Sequence, residues 1–216
     1  MGVHPSPSVV RTEHLLTSWS LEASGSTPGR RLVPTTSSGL KHGDSFPGQV
    51  TTPARFRHTD VMDTLRHSGS IIIKRSPEEL YDMVADVTRM GEWSPVCTAC
   101  WWDEGDGPHV GAKFTGHNER PERTWETRSE VVTADRGRQF AWVVVEPPTG
   151  ARWAYSFAAV DGGTEVTETW ELPPEGSAFF ESMFADDAAK QIGIRSDGAK
   201  NGIEATLTAI KGAAEA

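Results

Sequence analysis

The sequence lacks the features typical of membrane, secreted and nucleic-acid-binding proteins. Two cysteines are too few for a disulfide framework and favour a reducing, cytoplasmic setting. No apolar run approaches the roughly 20 residues that cross a bilayer. Lys and Arg number 21 against 30 Asp and Glu, a net charge of −9, whereas nucleic-acid binding needs clustered basic residues. We therefore predict a cytoplasmic protein with no membrane span and no nucleic-acid partner.

Common catalytic and cofactor motifs are missing as well. There is no glycine-rich phosphate loop, no Ser/His/Asp set and no paired-carboxylate motif. Cys97 and Cys100, separated by two residues, enter a predicted strand, so they lack the helix N-terminus that activates thioredoxin-like thiols. Adding His109 and His117 matches no common zinc-finger spacing. We predict no metal and no cofactor, and interpret both cysteines as structural or incidental, with metal or redox roles as the alternatives.

The N-terminal part of the chain differs from the rest. It has no sustained apolar period of 2 or 3.6, and it is rich in Ser, Thr, Gly and Pro. Such a composition buries too little apolar surface to offset chain entropy. We therefore predict a disordered leader over residues 1–67 and a folded domain over residues 68–216. Met62 is an alternative start, in which case the leader would be an upstream extension of the gene.

The predicted domain begins with a strand and a helix, and six strands follow. A β-branched run predicts the first strand at residues 70–74. Ser76 as N-cap, Pro77 at the first helical position and Glu79 in a capping box predict the helix start. Turn residues then separate six strands at 99–102, 113–118, 124–133, 140–145, 152–160 and 164–172. Consecutive strands joined by short turns predict an antiparallel meander.

Alternation within the strands predicts which face of the sheet is buried. Trp153, Tyr155 and Phe157 share one face of their strand, and the residues between them are Ala or Ser. From Ser177 the apolar residues return to helical spacing, which predicts one long C-terminal helix that covers the aromatic face. Glycines within residues 193–202 favour a kink or break there.

Three segments resemble the START/Bet v 1-like (SRPBCC) superfamily: Ser76 to Asp82, the turn Met90 to Pro95, and the hairpin Gly162 to Thr167. Within it, residues 69–214 are most similar to bacterial polyketide cyclase/dehydrase-type proteins. The resemblance implies an α+β helix-grip fold, in which a curved antiparallel sheet wraps around a long C-terminal helix and leaves an apolar cavity. It leaves the chemistry open, because members include lipid carriers, hormone receptors and aromatase/cyclases.

Glu168 is the candidate for acid–base chemistry. It lies on the same face of its predicted strand as Val166 and Trp170, so its carboxylate should be desolvated, with a raised pKa. The alternatives are a strand slip that exposes it or a salt bridge to Arg152. Asn118 and Tyr155 are candidates for hydrogen bonds to a ligand. The predicted ligand-binding set combines inward residues of the sheet and the helix: Phe114, Asn118, Trp125, Trp142, Trp153, Tyr155, Phe157, Trp170, Met183 and Phe184.

Three functions are consistent with this sequence. The first is a carrier or sensor that holds a small hydrophobic or aromatic molecule in the cavity. The second is a polyketide cyclase/dehydratase-type enzyme that uses acid–base residues of the cavity, since orientation alone contributes much of a rate. The third is a protein-interaction module with a collapsed cavity. The ligand and the oligomeric state do not follow from the sequence.

Overall fold

The computed structural model describes residues 64–105, 107–121 and 123–216. The predicted leader, with Met62, lies outside them except for its last residues, which open the first strand. No helix in the described ranges is long and apolar enough to cross a membrane. The elements in chain order are β1 (Leu65–Ile73), α1 (Pro77–Ala85), a 3₁₀ helix (Val87–Glu92), β2 (Cys97–Trp102), β3 (Lys113–Arg120), β4 (Arg123–Asp135), β5 (Gln139–Glu146), β6 (Arg152–Val160), β7 (Gly163–Leu172), α2 (Pro174–Phe184), a 3₁₀ turn (Ala185–Asp187) and α3 (Ala188–Glu215).

Helix α1 starts at the predicted capping box. The Ser76 hydroxyl accepts from the backbone N–H of Glu79, and the Glu79 carboxylate accepts from the Ser76 N–H at 2.9 Å. Asp86 ends the helix, and its carboxylate accepts from the backbone N–H of Thr88 at 3.2 Å, which starts the 3₁₀ helix. Tyr81 on α1 then packs edge-on against Phe140, with ring centroids 6.2 Å apart. The helix thereby packs against the sheet.

The strands form one antiparallel sheet in the order β1-β7-β6-β5-β4-β3-β2. Strands β2 to β7 are the predicted meander, and β1 pairs with the last strand. The register shifts once between β2 and β3 and twice between β4 and β5. Such bulges bend a sheet and increase its twist. The sheet and the long C-terminal helix confirm the α+β helix-grip prediction.

The C-terminal helical segment is interrupted, but not where the sequence predicted. Helix α2 ends at Phe184, and Ala185 has a φ of 44°, in the left-handed region that favours glycine. Helix α3 then continues without a break through Gly193 and Gly202. The predicted break within residues 193–202 is therefore wrong, and the interruption lies about two helical turns earlier.

One glycine of α3, Gly198, makes a close tertiary approach despite the low helix propensity of glycine. A Cβ on Gly198 would collide with the guanidinium of Arg120, at the end of β3. On β1, at the edge of the sheet, Gly69 lets α3 approach closely, because a Cβ at this position would lie only 2.9 Å from Ile203 Cγ2. Helix α3 therefore lies against β1 and approaches the end of β3.

Candidate functional site

The inner face of the sheet carries a row of aromatic rings. Phe114 meets Trp142 edge-on, with centroids 5.7 Å apart, and Trp142 lies 6.0 Å from Tyr155. Trp153 and Trp170 are cross-strand partners at 6.5 Å. These distances are typical of favourable aromatic pairs. The rings come from β3, β5, β6 and β7, so the predicted inward alternation brings them together.

The predicted ligand-binding residues differ in their exposure. Trp125, Trp153 and Phe184 are half-buried, and Met183 is 39% exposed. The remaining members are buried: Phe114, Asn118, Trp142, Tyr155, Phe157 and Trp170. Met183 therefore faces solvent, and we leave it out of the proposed site.

Glu168 is buried in the middle of β7, 3% exposed. Its register partners are Gly69 on β1 and Tyr155 on β6. The Tyr155 hydroxyl donates to Glu168 Oε1 at 3.0 Å, while Oε2 has no hydrogen-bond partner within the described part of the chain. Neither alternative suggested by the sequence occurs, because β7 pairs without a register shift and Arg152 lies 3.6 Å from Glu171 instead.

Burial controls the charge of this carboxyl group. It raises the pKa of Glu168 to about 8, and the hydrogen bond from Tyr155 only partly opposes this rise. The pKa of Tyr155 lies well above its usual value because of burial and the neighbouring carboxylate. Helix α3 contributes to the burial, since Ile203 packs over Gly69, the β1 partner of Glu168. Glu168 is therefore largely protonated at neutral pH.

His67 is a lining residue that the sequence reasoning missed. Its ring stacks on Trp170 at 5.8 Å, and its Nε2 lies 2.8 Å from Ser196 Oγ on α3. The predicted leader included this residue. Extending the strand alternation from Ile73 towards the N-terminus, through Gly69, would have placed His67 on the inner face.

Asn118 lies on the inner face of β3, as predicted, but its amide is engaged by neighbours. Its Nδ2 donates to the carbonyl of Gly116 at 3.0 Å and to Thr127 Oγ1 at 3.3 Å. His117 lies on the outer face, where Nε2 is 3.4 Å from Glu119. Neither side chain is hydrogen-bonded to the Tyr155–Glu168 pair.

Both cysteines of β2 are buried and close together. Cys97 Sγ lies 3.5 Å from Cys100 Sγ. Their mutual hydrogen bond lowers the pKa of Cys97 and raises that of Cys100, with burial adding to the rise. In the described residues, no group of three His, Cys, Asp or Glu side chains could hold a metal ion.

Residues 64–213 match the profile of a protein family described as polyketide cyclase / dehydrase and lipid transport. Among solved structures, a Polyketide_cyc-like protein of Corynebacterium glutamicum, determined by solution NMR, is 47% identical. The alignment covers 69% of this chain and 91% of that protein, with a TM-score of 0.52.

More distant structures share the fold. The di-domain ARO/CYC BexL from the BE-7585A biosynthetic pathway is 17% identical, with a TM-score of 0.56, over 71% of this chain and 50% of that one. A protein from Chromobacterium violaceum is 12% identical, with a TM-score of 0.52, over 70% and 98% of the two chains. No curated protein matches the sequence. On the family profile and the 47% identical relative, the chain belongs to the polyketide cyclase / dehydrase and lipid transport family.

Proposed function

We propose that the domain is a cytoplasmic carrier or sensor that binds a small hydrophobic or aromatic molecule between the inner face of the sheet and α3. Family membership supports a ligand-binding or cyclase-type role in general. The observation that carries the finer proposal is Glu168, a buried carboxyl group with one oxygen unpartnered in the described structure, among aromatic rings.

This arrangement costs stability, so a role in binding explains it better than a role in folding. A buried polar atom without a partner costs about 1–3 kcal/mol. Pockets for small molecules are mostly apolar, with a few polar groups that set the orientation of the ligand. Trp142, whose ring lies 6.0 Å from that of Tyr155, and Trp170, on the same strand as Glu168, supply flat apolar surface. Oε2 of Glu168 supplies one hydrogen-bonding position. A flat ligand with one hydroxyl or carbonyl group matches both.

The test compares two probes that differ by one hydroxyl group, 2-naphthol and naphthalene. Quenching of tryptophan fluorescence should show that the protein binds 2-naphthol about tenfold more tightly, the value of one additional hydrogen bond. Glu168→Leu should remove this preference and keep naphthalene binding. Glu168→Gln, which retains a hydrogen-bonding group, should keep much of it.

The matched control is Glu165→Leu, on the exposed face of the same strand, which should bind both probes like the wild type. Equal affinity of the wild type for the two probes would contradict the role of Glu168. Absence of binding by both would favour the collapsed-cavity interaction module instead. If the probes bind, native mass spectrometry of protein purified from its own host would identify the retained natural ligand.

The Tyr155–Glu168 pair also favours a second candidate, proton transfer on a bound ketone of the polyketide type. A pKa of about 8 lets Glu168 exchange a proton near neutral pH. Its carboxylate would take a proton from the carbon next to the carbonyl and leave an enolate, while Tyr155 holds the other carboxylate oxygen at 3.0 Å. This is the elementary step of a cyclase or dehydratase.

Deuterium exchange of α-tetralone in D₂O, followed by proton NMR, tests this step without knowledge of the natural substrate. The protein should accelerate exchange at the carbon next to the carbonyl, with a rate that rises as pH passes through about 8. Glu168→Gln should abolish the acceleration and still bind 2-naphthol, whereas Glu165→Gln should behave like the wild type. Exchange that is unchanged in Glu168→Gln would exclude Glu168 as the base.

A further inference from the structure

The two cysteines of β2 face the same side of the sheet because the strand is bulged. Residues 97 and 100 are three positions apart, so a regular strand would point them to opposite faces. The register shift between Cys97 and Ala99 removes this alternation, and both thiols are buried. Their sulfur atoms converge above Gly116, where a Cβ would lie 3.3 Å from one sulfur and 3.4 Å from the other. Bulges commonly re-aim side chains in this way near functional sites.

A third sulfur comes from the 3₁₀ helix. Met90 Sδ lies 3.8 Å from Cys100 Sγ, which is 3.5 Å from Cys97 Sγ. The helix reaches the bulge because Gly91 has no side chain: a Cβ there would collide with the carbonyl oxygen of Thr98. Met90 is half-buried, whereas both cysteines are buried.

We propose that Cys97, Cys100 and Met90 form a binding site for one Cu(I) ion. Metal–sulfur bonds of about 2.3 Å place the sulfur ligands of a single ion about 3.8–4.0 Å apart. Two of the three sulfur–sulfur distances, 3.5 Å between the cysteines and 3.8 Å between Cys100 and Met90, are close to this spacing. The proposal does not depend on the proposed ligand of the inner face.

The chemistry of the three donors selects the ion. Thiolate and thioether sulfurs are soft ligands that favour Cu(I), and a thioether is not among the common ligands of zinc. A structural zinc site would require a fourth nitrogen or sulfur ligand. When Cu(I) binds, the two thiols release their protons to solvent and the copper keeps its oxidation state. No oxidant or reductant takes part.

The experiment is an anaerobic titration of the reduced full chain with the Cu(I)–bicinchoninate complex. One equivalent of copper should move from bicinchoninate to the protein, with a new near-ultraviolet thiolate absorption. Cys97→Ser and Cys100→Ser should weaken binding at least 100-fold, and Met90→Leu about tenfold. Met183→Leu, which alters an exposed methionine, should bind like the wild type.

Circular dichroism shows whether each variant is folded. If a serine variant is unfolded, the result for Met90→Leu decides the test. Prior oxidation of Cys97 and Cys100 to a disulfide by hydrogen peroxide should abolish copper uptake. Copper that stays entirely with bicinchoninate would overturn the proposal. So would a Met90→Leu variant with wild-type affinity, or displacement of Cu(I) by an equal concentration of Zn(II).

Discussion

The two faces of the sheet treat carboxylates in opposite ways. On the outer face, Asp103 lies 2.6 Å from Arg128 Nε, Glu130 lies 3.7 Å from Lys113, and Glu171 lies 3.6 Å from Arg152. On the inner face, the carboxyl group of Glu168 has one tyrosine hydroxyl and no cation among its described contacts.

The difference shows where the protein gives up stability. The ion pairs of the outer face keep at least one side chain partly open to solvent, and exposed pairs typically contribute only about 0–1 kcal/mol. A buried carboxyl group without a cation must instead remain protonated or lose folding free energy when it ionises. Selection for stability alone would place an apolar residue at position 168, so the inner face is the side on which function is to be sought.

The largest expected effect is the pH dependence caused by Glu168. Its pKa is about 8 in the folded protein, against an ordinary value of 4.5 for a glutamate, so the folded state binds more protons between these pH values. Stability therefore falls as pH rises from about 4.5 to 8, by up to roughly 5 kcal/mol, and the loss is complete above 8. Urea unfolding of Glu168→Gln at pH values from about 5 to 9 should lack this loss.

Glu165→Gln is the matched control, because Glu165 is exposed on the opposite face of the same strand. It should keep the wild-type dependence on pH. If Glu168→Gln and the wild type lose the same stability between about pH 5 and 9, the pKa of Glu168 is not raised by folding. The inner and outer faces would then not differ in how they treat a carboxyl group.

The next largest effect compares two tryptophans. Trp142 is buried on the inner face and contacts Phe114, Phe140 and Tyr155 at 5.6–6.0 Å. Trp142→Ala should lower the free energy of unfolding by about 3–5 kcal/mol, the usual cost of removing a buried aromatic side chain. Trp101→Ala, on the outer face of β2 and 42% exposed, should cost below about 1 kcal/mol. Similar losses in urea unfolding would mean that the inner rings do not form the packed face.

A smaller effect should follow from Tyr155→Phe. This change removes the hydrogen bond to Glu168 Oε1 at a cost of about 1–2 kcal/mol. Because the same bond lowers the pKa of Glu168, its loss should raise that pKa further. Carboxyl ¹³C NMR would follow the titration. Tyr81→Phe, at the other tyrosine of the sequence, is the control and should leave the midpoint of the Glu168 titration unchanged. If Tyr155→Phe also leaves that midpoint unchanged, the hydrogen bond between Tyr155 and Glu168 does not form.

The strands and the first helix could be predicted because their signals are local. Alternation and turn residues defined six strands to within two residues at each end, and the capping box at Ser76 and Glu79 defined the start of α1. The early start of β1 was missed, because its inward residues His67 and Gly69 are not apolar. Pairing with β7 stabilises this segment, and that contact is remote in sequence.

The details of the candidate site depend on contacts between strands, which local sequence patterns do not predict. Parity predicted that Glu168 faces inward, yet its partner Tyr155 and its unpartnered oxygen follow from the register of β6 and β7. The convergence of Cys97 and Cys100 requires a bulge that alternation cannot anticipate. Helix α3 runs through Gly193 and Gly202 without a break, which their low helix propensity did not predict.

The smallest expected effect tests the outer half of the comparison. Lys113 and Glu130 form a cross-strand pair at 3.7 Å, with side chains 45% and 38% exposed. Lys113→Gln should therefore change the free energy of unfolding by less than about 0.5 kcal/mol, and added salt should reduce even this difference, because exposed pairs are screened. Urea unfolding at low and high ionic strength measures both. A loss above about 1 kcal/mol that persists in high salt would show that the outer pairs support the sheet, so that charge would no longer distinguish its two faces.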